Sequence, residues 1–205
     1  MKRLLFTALL FSAFCCNKSE TNEQNFLKTL NKIKLQKNQI YKNKIKADTT
    51  LLGFEFGEDE IFFIARAHEL NEKGVIKSNI SSFYWNVKID NITDLNCFVE
   101  PVFYNNALIS LYCKCENTLG LAGITSISKF SEMLNSKYGR NDFSYKDPFT
   151  QSYEKIWLKD GQEIKLFNED KYLKLNYHSI FLNLQKDSLE NRKDSLNLLK
   201  NKSFL

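Results

Sequence analysis

The chain has 205 residues and a formal net charge of +5, and its basic residues are concentrated near the N-terminus, where residues 17–47 carry eight lysines and two glutamates. The remainder, residues 48–205, is slightly acidic. Binding of nucleic acid requires basic residues along a face of the folded domain, so this distribution argues against a nucleic-acid partner.

The first fifteen residues have the pattern of a signal peptide. Lys2 and Arg3 precede an uncharged run of eleven residues, 4–14, which ends at Cys15 and Cys16. A membrane-spanning helix needs roughly 20 apolar residues, so this run is too short to span a bilayer. The pattern resembles the signal peptide of bacterial lipoproteins, and an ordinary secretory signal is the alternative interpretation. Both interpretations place the folded domain outside the cytoplasm.

The resemblance implies that the cysteine after the cleavage site carries a diacylglyceryl group, which anchors the protein in the membrane. In this family the residue before that cysteine is small. Cleavage before Cys16 leaves Cys15 in that position, whereas cleavage before Cys15 leaves the bulky Phe14. The lipidated residue is therefore predicted to be Cys16, with Cys15 as the alternative, and residues 1–15 form the signal peptide. Asn17 follows instead of aspartate, which in lipoproteins favours the outer membrane.

Residues 16–48 form a predicted basic tether with helical periodicity. Phe26, Leu30, Ile33 and Ile40 recur at a loose helical spacing, and no proline or glycine interrupts them. Basic charge beside a lipid anchor is attracted to anionic headgroups by about 1 kcal/mol per lysine. A solvated, lysine-rich linker is the other interpretation.

Two helices are predicted within the folded domain. The first spans residues 58–71, where Ile61, Ile64 and Ala65 recur at three- and four-residue steps. The second spans residues 126–138. Each helix is followed by three strands in which apolar and polar residues alternate. The strands are predicted at residues 83–89, 95–103, 108–115, 152–159, 162–167 and 172–181.

This order of elements predicts an α+β fold made of two αβββ units. The two units are expected to form a largely antiparallel six-stranded sheet with the helices on one face. The single folded domain is predicted over residues 49–184, and a C-terminal helical tail over residues 185–205.

Three cysteines, Cys97, Cys113 and Cys115, remain after removal of the signal peptide, in a compartment where disulfides persist. A three-residue turn at 105–107 sets Cys97 opposite Cys115, and a shifted register sets it opposite Cys113. We predict a disulfide between Cys97 and Cys115, with Cys113 as the alternative partner. Such a bridge stabilises the protein by constraining the unfolded chain. Three buried thiols acting as small apolar side chains are the other interpretation.

The sequence shows no motif for catalysis, a metal ion or a cofactor. The seven glycines are too scattered for a phosphate-binding loop. The two histidines, His68 and His178, do not form a zinc-protease motif and have no activating partner nearby in the sequence. We therefore predict no metal site, no cofactor and no enzymatic activity.

Three aromatic residues, Tyr84, Phe98 and Tyr112, fall on the polar side of neighbouring predicted strands. An exposed aromatic patch of this kind marks a recognition surface. The alternative is that a helix, from the tether or the tail, covers the patch.

Two short segments, GFEFG at 53–57 and LNSKYG at 134–139, resemble features of small lipoproteins from Bacteroidota that carry no known activity. The sequence therefore predicts a lipid-anchored, non-catalytic module that binds a protein partner or assists assembly in the cell envelope. A small periplasmic hydrolase whose site is assembled from distant residues is one alternative. An inhibitor or immunity-type protein is another.

Overall fold

The computed structural model describes residues 21–79, 82–88, 94–116, 123–169 and 172–202. The predicted signal peptide, both candidate lipidation sites Cys15 and Cys16, and the start of the predicted tether lie outside this part of the chain.

Four helices and eight strands form in the described residues. The helices are α1 (Asn22–Lys42), α2 (Glu60–Glu72), α3 (Gly123–Tyr138) and α4 (Ile180–Lys202). The strands are β1 (Ile76–Asn79), β2 (Ser82–Lys88), β3 (Asp94–Tyr104), β4 (Ala107–Glu116), β5 (Phe143–Lys146), β6 (Tyr153–Lys159), β7 (Gln162–Glu169) and β8 (Tyr172–Ser179). The fold is therefore α+β.

All eight strands belong to one antiparallel sheet with the order β1-β2-β3-β4-β8-β7-β6-β5. Helix α2 precedes β1 to β4 and helix α3 precedes β5 to β8, so two αββββ units join through their last strands, β4 and β8. The prediction of six strands is wrong. The two strands that it missed, β1 and β5, have four residues each and form the edges of the sheet. An edge strand pairs with one neighbour only, so it needs no long apolar run to mark it in the sequence.

The main core lies between one face of the sheet and helices α2 and α3. Phe63 and Ala67 of α2, and Phe130 and Leu134 of α3, are at most 1% exposed. The Phe63 ring stacks on Phe54 with the ring centroids 4.3 Å apart. Burial of each large apolar side chain contributes about 1.5–3 kcal/mol, so this layer is the main source of stability. The sheet contributes the inward residues of seven strands: Ile76, Trp85, Val87, Leu95, Cys97, Val99, Leu108, Leu111, Cys113, Cys115, Trp157, Ile164, Leu166, Leu173, Leu175 and Tyr177.

Helices α1 and α4 lie against the opposite face of the sheet, which we call the second face. Ile33 of α1 is 6% exposed, and Lys37 of α1 forms an ion pair with Glu163 of β7 at 2.8 Å. Tyr41 of α1 packs against Phe181 of α4 with the ring centroids 5.3 Å apart. Helix α1, which lies within the range predicted as a tether, thus packs on the sheet. Helix α4 begins directly after β8, inside the range predicted for the folded domain.

The β3–β4 hairpin has a shorter turn than the sequence predicted. Asn105 and Asn106 form a two-residue turn with φ values of 49° and 61°, which asparagine tolerates better than most residues. The pairing then shifts by one residue near the end of β3, where a β-bulge adds a residue to β4. The bulge compensates for the shorter turn, and Cys97 is opposite Cys115.

The turn between β6 and β7 requires glycine. Gly161 has a φ of +77° and lies against the segment that follows α1. A Cβ atom at this position would be 2.7 Å from backbone atoms of Lys46 and Ala47. The turn therefore combines a left-handed backbone with a close approach between two chain segments.

Gly161→Ala is expected to destabilise the protein more than Gly139→Ala. Both glycines have a φ of +77°, so each substitution carries the left-handed cost of about 1–2 kcal/mol. An added Cβ at Gly139 has no atom within 4 Å, whereas at Gly161 it meets the backbone of Ala47. Urea unfolding of the two variants measures the difference. Equal losses of stability would show that the segment at 46–47 moves aside freely.

Candidate functional site

The second face of the sheet is covered only in part. Helices α1 and α4 lie over β5, β7, β8 and the start of β4. Further along, the strands β3 and β4 present polar side chains to solvent, and Asn96, Glu100 and Lys114 are exposed there. This uncovered part is the place where the sequence predicted a recognition surface.

The three aromatic residues of that prediction lie on the second face, and each is half-buried. Tyr84 and Phe98 are directly opposed in the β2–β3 register, with their ring centroids 5.8 Å apart. Tyr112 lies one row away and packs edge-on against His178, with the ring centroids 5.4 Å apart. The structure therefore brings Tyr84 and Phe98 together and directs Tyr112 toward the side covered by α4.

Two lysines extend the row of Tyr84 and Phe98 across the sheet. Lys114 is opposite Phe98, and Lys174 is opposite Lys114. The ammonium group of Lys114 lies 3.8 Å from the ring centroid of Tyr172, while that of Lys174 pairs with Glu169. The uncovered part of the second face is thus a mixed aromatic and charged surface.

Ser110, His178 and Glu163 lie side by side across β4, β8 and β7. The Ser110 hydroxyl is 2.8 Å from Nδ1 of His178, which is the contact of a nucleophile with its general base. A nucleophile must also reach its substrate, but Ser110 is 1% exposed beneath α4. Asn183 of α4 donates from Nδ2 to the Ser110 hydroxyl at 3.3 Å and to the Ile109 carbonyl at 2.9 Å. The row therefore fastens α4 to the sheet.

The electrostatics of His178 agree with a structural role. Burial lowers its pKa to about 4, and the nearby carboxylate of Glu163 opposes part of that shift. The lysines Lys37 and Lys165 lower the pKa further. At neutral pH the imidazole is uncharged, and its low pKa makes it a weak proton acceptor.

A cleft of about 320 Å³ lies between α1 and the strands beneath it. Lys37 and Glu163 line it and form an ion pair at 2.8 Å. Lys165 also lines it and pairs with the buried Glu154 at 2.7 Å. Tyr145 donates to Glu154 at 2.6 Å, and burial together with this hydrogen bond raises the pKa of its phenol. The charged groups of these ion pairs and the Tyr145 hydroxyl therefore bind one another. Their contacts hold α1 on the sheet and leave few polar groups to orient a ligand.

The cysteines of the folded domain all lie in the core. Cys97 and Cys115 are joined by a disulfide, and Cys113 is a buried thiol whose pKa burial raises to about 12. A thiol with that pKa is not a nucleophile at neutral pH. Within the described ranges, no group of three or more histidine, cysteine, aspartate or glutamate residues is placed to hold a metal ion.

A compact apolar patch lies on the outer face of α2. Ile61 and Phe62 are 76% and 66% exposed, and Ile64 is 42% exposed. Ala65, one turn after Ile61, is also exposed. We call these four residues the α2 patch. Contiguous apolar surface of this kind marks sites of protein or membrane interaction.

The spacing of Ile61, Ile64 and Ala65 predicts a helix, and that helix is present. The face that these residues form points to solvent, however, while Phe63 and Ala67 face the core. Apolar residues surround the first turns of α2 on all sides, so periodicity alone does not select the buried face. Helix α2 has more apolar residues than a single buried stripe requires. This excess is the sequence feature that could have predicted the exposed patch.

No family model, curated protein or solved structure matches this chain. In the described part of the chain, none of the helices is both long enough and apolar enough to cross a membrane.

The free energy of unfolding is expected to fall as the pH is lowered from about 6.5 to about 4, partly because of His178. Its pKa is about 4 in the folded state and 6.5 ordinarily. In this window the unfolded chain binds a proton that the folded protein does not, so stability present above pH 6.5 is lost on acidification. Denaturant unfolding of His178→Asn and the parent protein across this range measures the contribution. The variant should show the shallower fall, and an identical slope would contradict the assigned pKa.

Proposed function

We propose that the protein is a lipid-anchored, non-catalytic module of the cell envelope that binds a protein partner through the α2 patch. Lipidation at Cys16 supplies an outer-membrane anchor, and the folded domain lies outside the cytoplasm. The exposure of Ile61 and Phe62 is the observation that carries the proposal.

The α2 patch is not needed to hold α2 on the sheet. Phe63 and Ala67 already make the core contacts of this helix, and both are at most 1% exposed. A partner that covers Ile61 and Phe62 gains about 1.5–3 kcal/mol for each large apolar side chain that becomes fully buried. A few large side chains buried together at the centre of an interface carry most of its binding energy.

The charges around the α2 patch indicate the chemistry of the partner. Residues 55–73 contain six acidic residues against two basic ones, Arg66 and Lys73. Arg66 is occupied by ion pairs with Glu55 at 2.7 Å and Glu58 at 3.3 Å. The patch is therefore bordered by net negative charge. A complementary partner presents apolar side chains flanked by lysine or arginine.

The burial of Ser110 supports a non-catalytic function over the hydrolase alternative. Its contact with His178 has the geometry of a nucleophile and base, but α4 covers it and Asn183 occupies its hydroxyl. The aromatic residues Tyr84 and Phe98 offer a second contact surface on the opposite face of the sheet. They are half-buried, so a partner gains less from covering them than from covering the α2 patch.

Intact-mass measurement of the protein purified from its native membrane tests the anchor. We expect a species that lacks residues 1–15 and carries additional acyl mass, and we expect Cys16→Ala to abolish the acylation. Cys15→Ala is the matched control and should leave acylation unchanged, since alanine is also small. A mature species without acyl mass would contradict the lipid anchor.

Site-specific photo-crosslinking in the native membrane tests the α2 patch. A photoreactive residue in place of Phe62 is expected to give one discrete product with a protein whose contacting surface is apolar and basic. The substitution Ile61→Glu should remove the product without lowering the free energy of unfolding, because Ile61 is 76% exposed. A photoreactive residue at Glu132, exposed on α3, serves as the control.

Positions 84 and 98 test the aromatic surface in the same experiment. A product from these positions and none from position 62 would move the binding site to the second face and contradict the role of the α2 patch. The absence of a specific product at every position would contradict the binding function itself.

A further inference from the structure

We infer that the outer face of α1 lies on an anionic phospholipid surface and orients the domain relative to the membrane. The inference rests on the proposed lipid anchor at Cys16. It adds a headgroup contact, made by the folded domain, to the contact made by the acyl chains.

Helix α1 separates its lysines by the direction in which they face. Lys37 points to the sheet and pairs with Glu163 at 2.8 Å. Lys32 and Lys42 lie on the other side of the helix and are exposed. At 3.6 residues per turn, Leu35 lies on the same outward face as these two lysines, and it is 64% exposed. The outward face is therefore basic with an apolar residue at its centre.

The chain around this outward face is also basic and contains a further exposed apolar residue. Residues 22–47 contain seven lysines and one acidic residue, Glu23. Lys34 is exposed between the outward face and the cleft beneath α1, and Leu27 is 50% exposed two turns earlier. Basic charge near a bilayer is attracted to anionic headgroups, and leucines among lysines are typical of helices that lie in the membrane interface.

The connection to the proposed anchor is short. Residues 17–21 join Cys16 to α1, and a fully extended segment of this length reaches at most about 20 Å. An acylated Cys16 therefore holds the start of α1 close to the bilayer surface. The helix has 21 residues and is about 30 Å long, so it brings its outward lysines to the headgroups when it lies parallel to the surface.

We favour lipid over a protein as the occupant of this face because the proposed anchor already holds the domain at the bilayer. Tethering converts contact with the bilayer into an intramolecular event with a high effective concentration. A protein has to be recruited from solution against that competition. The anionic headgroup surface also matches the predominantly basic charge of α1.

The contact has a consequence for the α2 patch. Helix α1 packs on the second face of the sheet, whereas α2 packs on the core face. When the outward face of α1 lies on the membrane, the α2 patch points away from it. The lysines of α1 would thus present the patch to a partner.

Vesicle binding by the unlipidated mature chain tests the headgroup contact without the anchor. Residues 16–205 with Cys16→Ser retain every described residue. We expect this protein to bind vesicles that contain phosphatidylglycerol and not vesicles of pure phosphatidylcholine, and we expect salt to weaken the binding. The triple variant Lys32→Gln/Lys34→Gln/Lys42→Gln should bind about 100-fold more weakly, since each lysine near an anionic surface contributes about fivefold.

A second triple variant, Lys73→Gln/Lys137→Gln/Arg140→Gln, is the matched control. It removes the same charge from exposed positions at the ends of α2 and α3, on the opposite side of the sheet. Binding close to that of the parent protein is expected. Equal losses in the two triple variants, or no preference for phosphatidylglycerol, would overturn the inference.

Fluorescence quenching by a lipid-borne quencher tests the orientation of the acylated protein. A fluorophore on Leu35→Cys should be quenched, and one on Phe62→Cys should not. The free thiol of the described domain, Cys113, is buried, so labelling is directed to the introduced cysteine. Equal quenching at both positions would overturn the inference. A missing acyl group in the intact mass would instead contradict the anchor alone, since the vesicle experiment does not depend on it.

Discussion

The pairing of β4 with β8 is the constraint on which the rest of the structure depends. It joins two four-stranded units into one sheet and sets Leu111 opposite Tyr177, and Cys113 opposite Leu175, on the core side. Because side chains alternate along a strand, the same register sends Ser110 to the second face. A slip of one residue would exchange the two faces, bury polar side chains and expose the apolar ones. The composition of both faces of the sheet follows from this register.

The second face accommodates its buried charges by pairing them. Glu154 and Glu163 are both buried, and each has a lysine partner, Lys165 and Lys37 respectively. Removal of one member of such a pair leaves an uncompensated charge, which is costly in a buried site. The ion pair of Lys37 with Glu163 therefore limits the rotation of α1 about its own axis. That rotation in turn decides which lysines of the helix face outward.

The sequence predicted the helices and strands whose apolar pattern extends over many residues. It was less successful where contacts between residues distant in the chain determine the structure. Alternation identified six strands, and it placed Tyr84, Phe98 and Tyr112 on the same face of neighbouring strands. The edge strands β1 and β5 were missed because four residues paired on one side show little pattern. The buried face of α2 depends on packing of Phe63 against the sheet, which periodicity does not report. The contact of Asn183 with Ser110 likewise depends on where α4 lies.

The arrangement of the helices on two faces separates the tasks that the domain is proposed to perform. If α1 and α2 lay on one face, a lipid surface and a protein partner would compete for the same side of the domain. The intervening sheet avoids this because it separates the two helices. Its eight strands are hydrogen-bonded without interruption, so the two faces keep a fixed position relative to each other. When α1 rotates on the membrane, the α2 patch therefore turns with it. In the proposed arrangement, the orientation of α1 at the bilayer therefore also sets how accessible the α2 patch is to a partner.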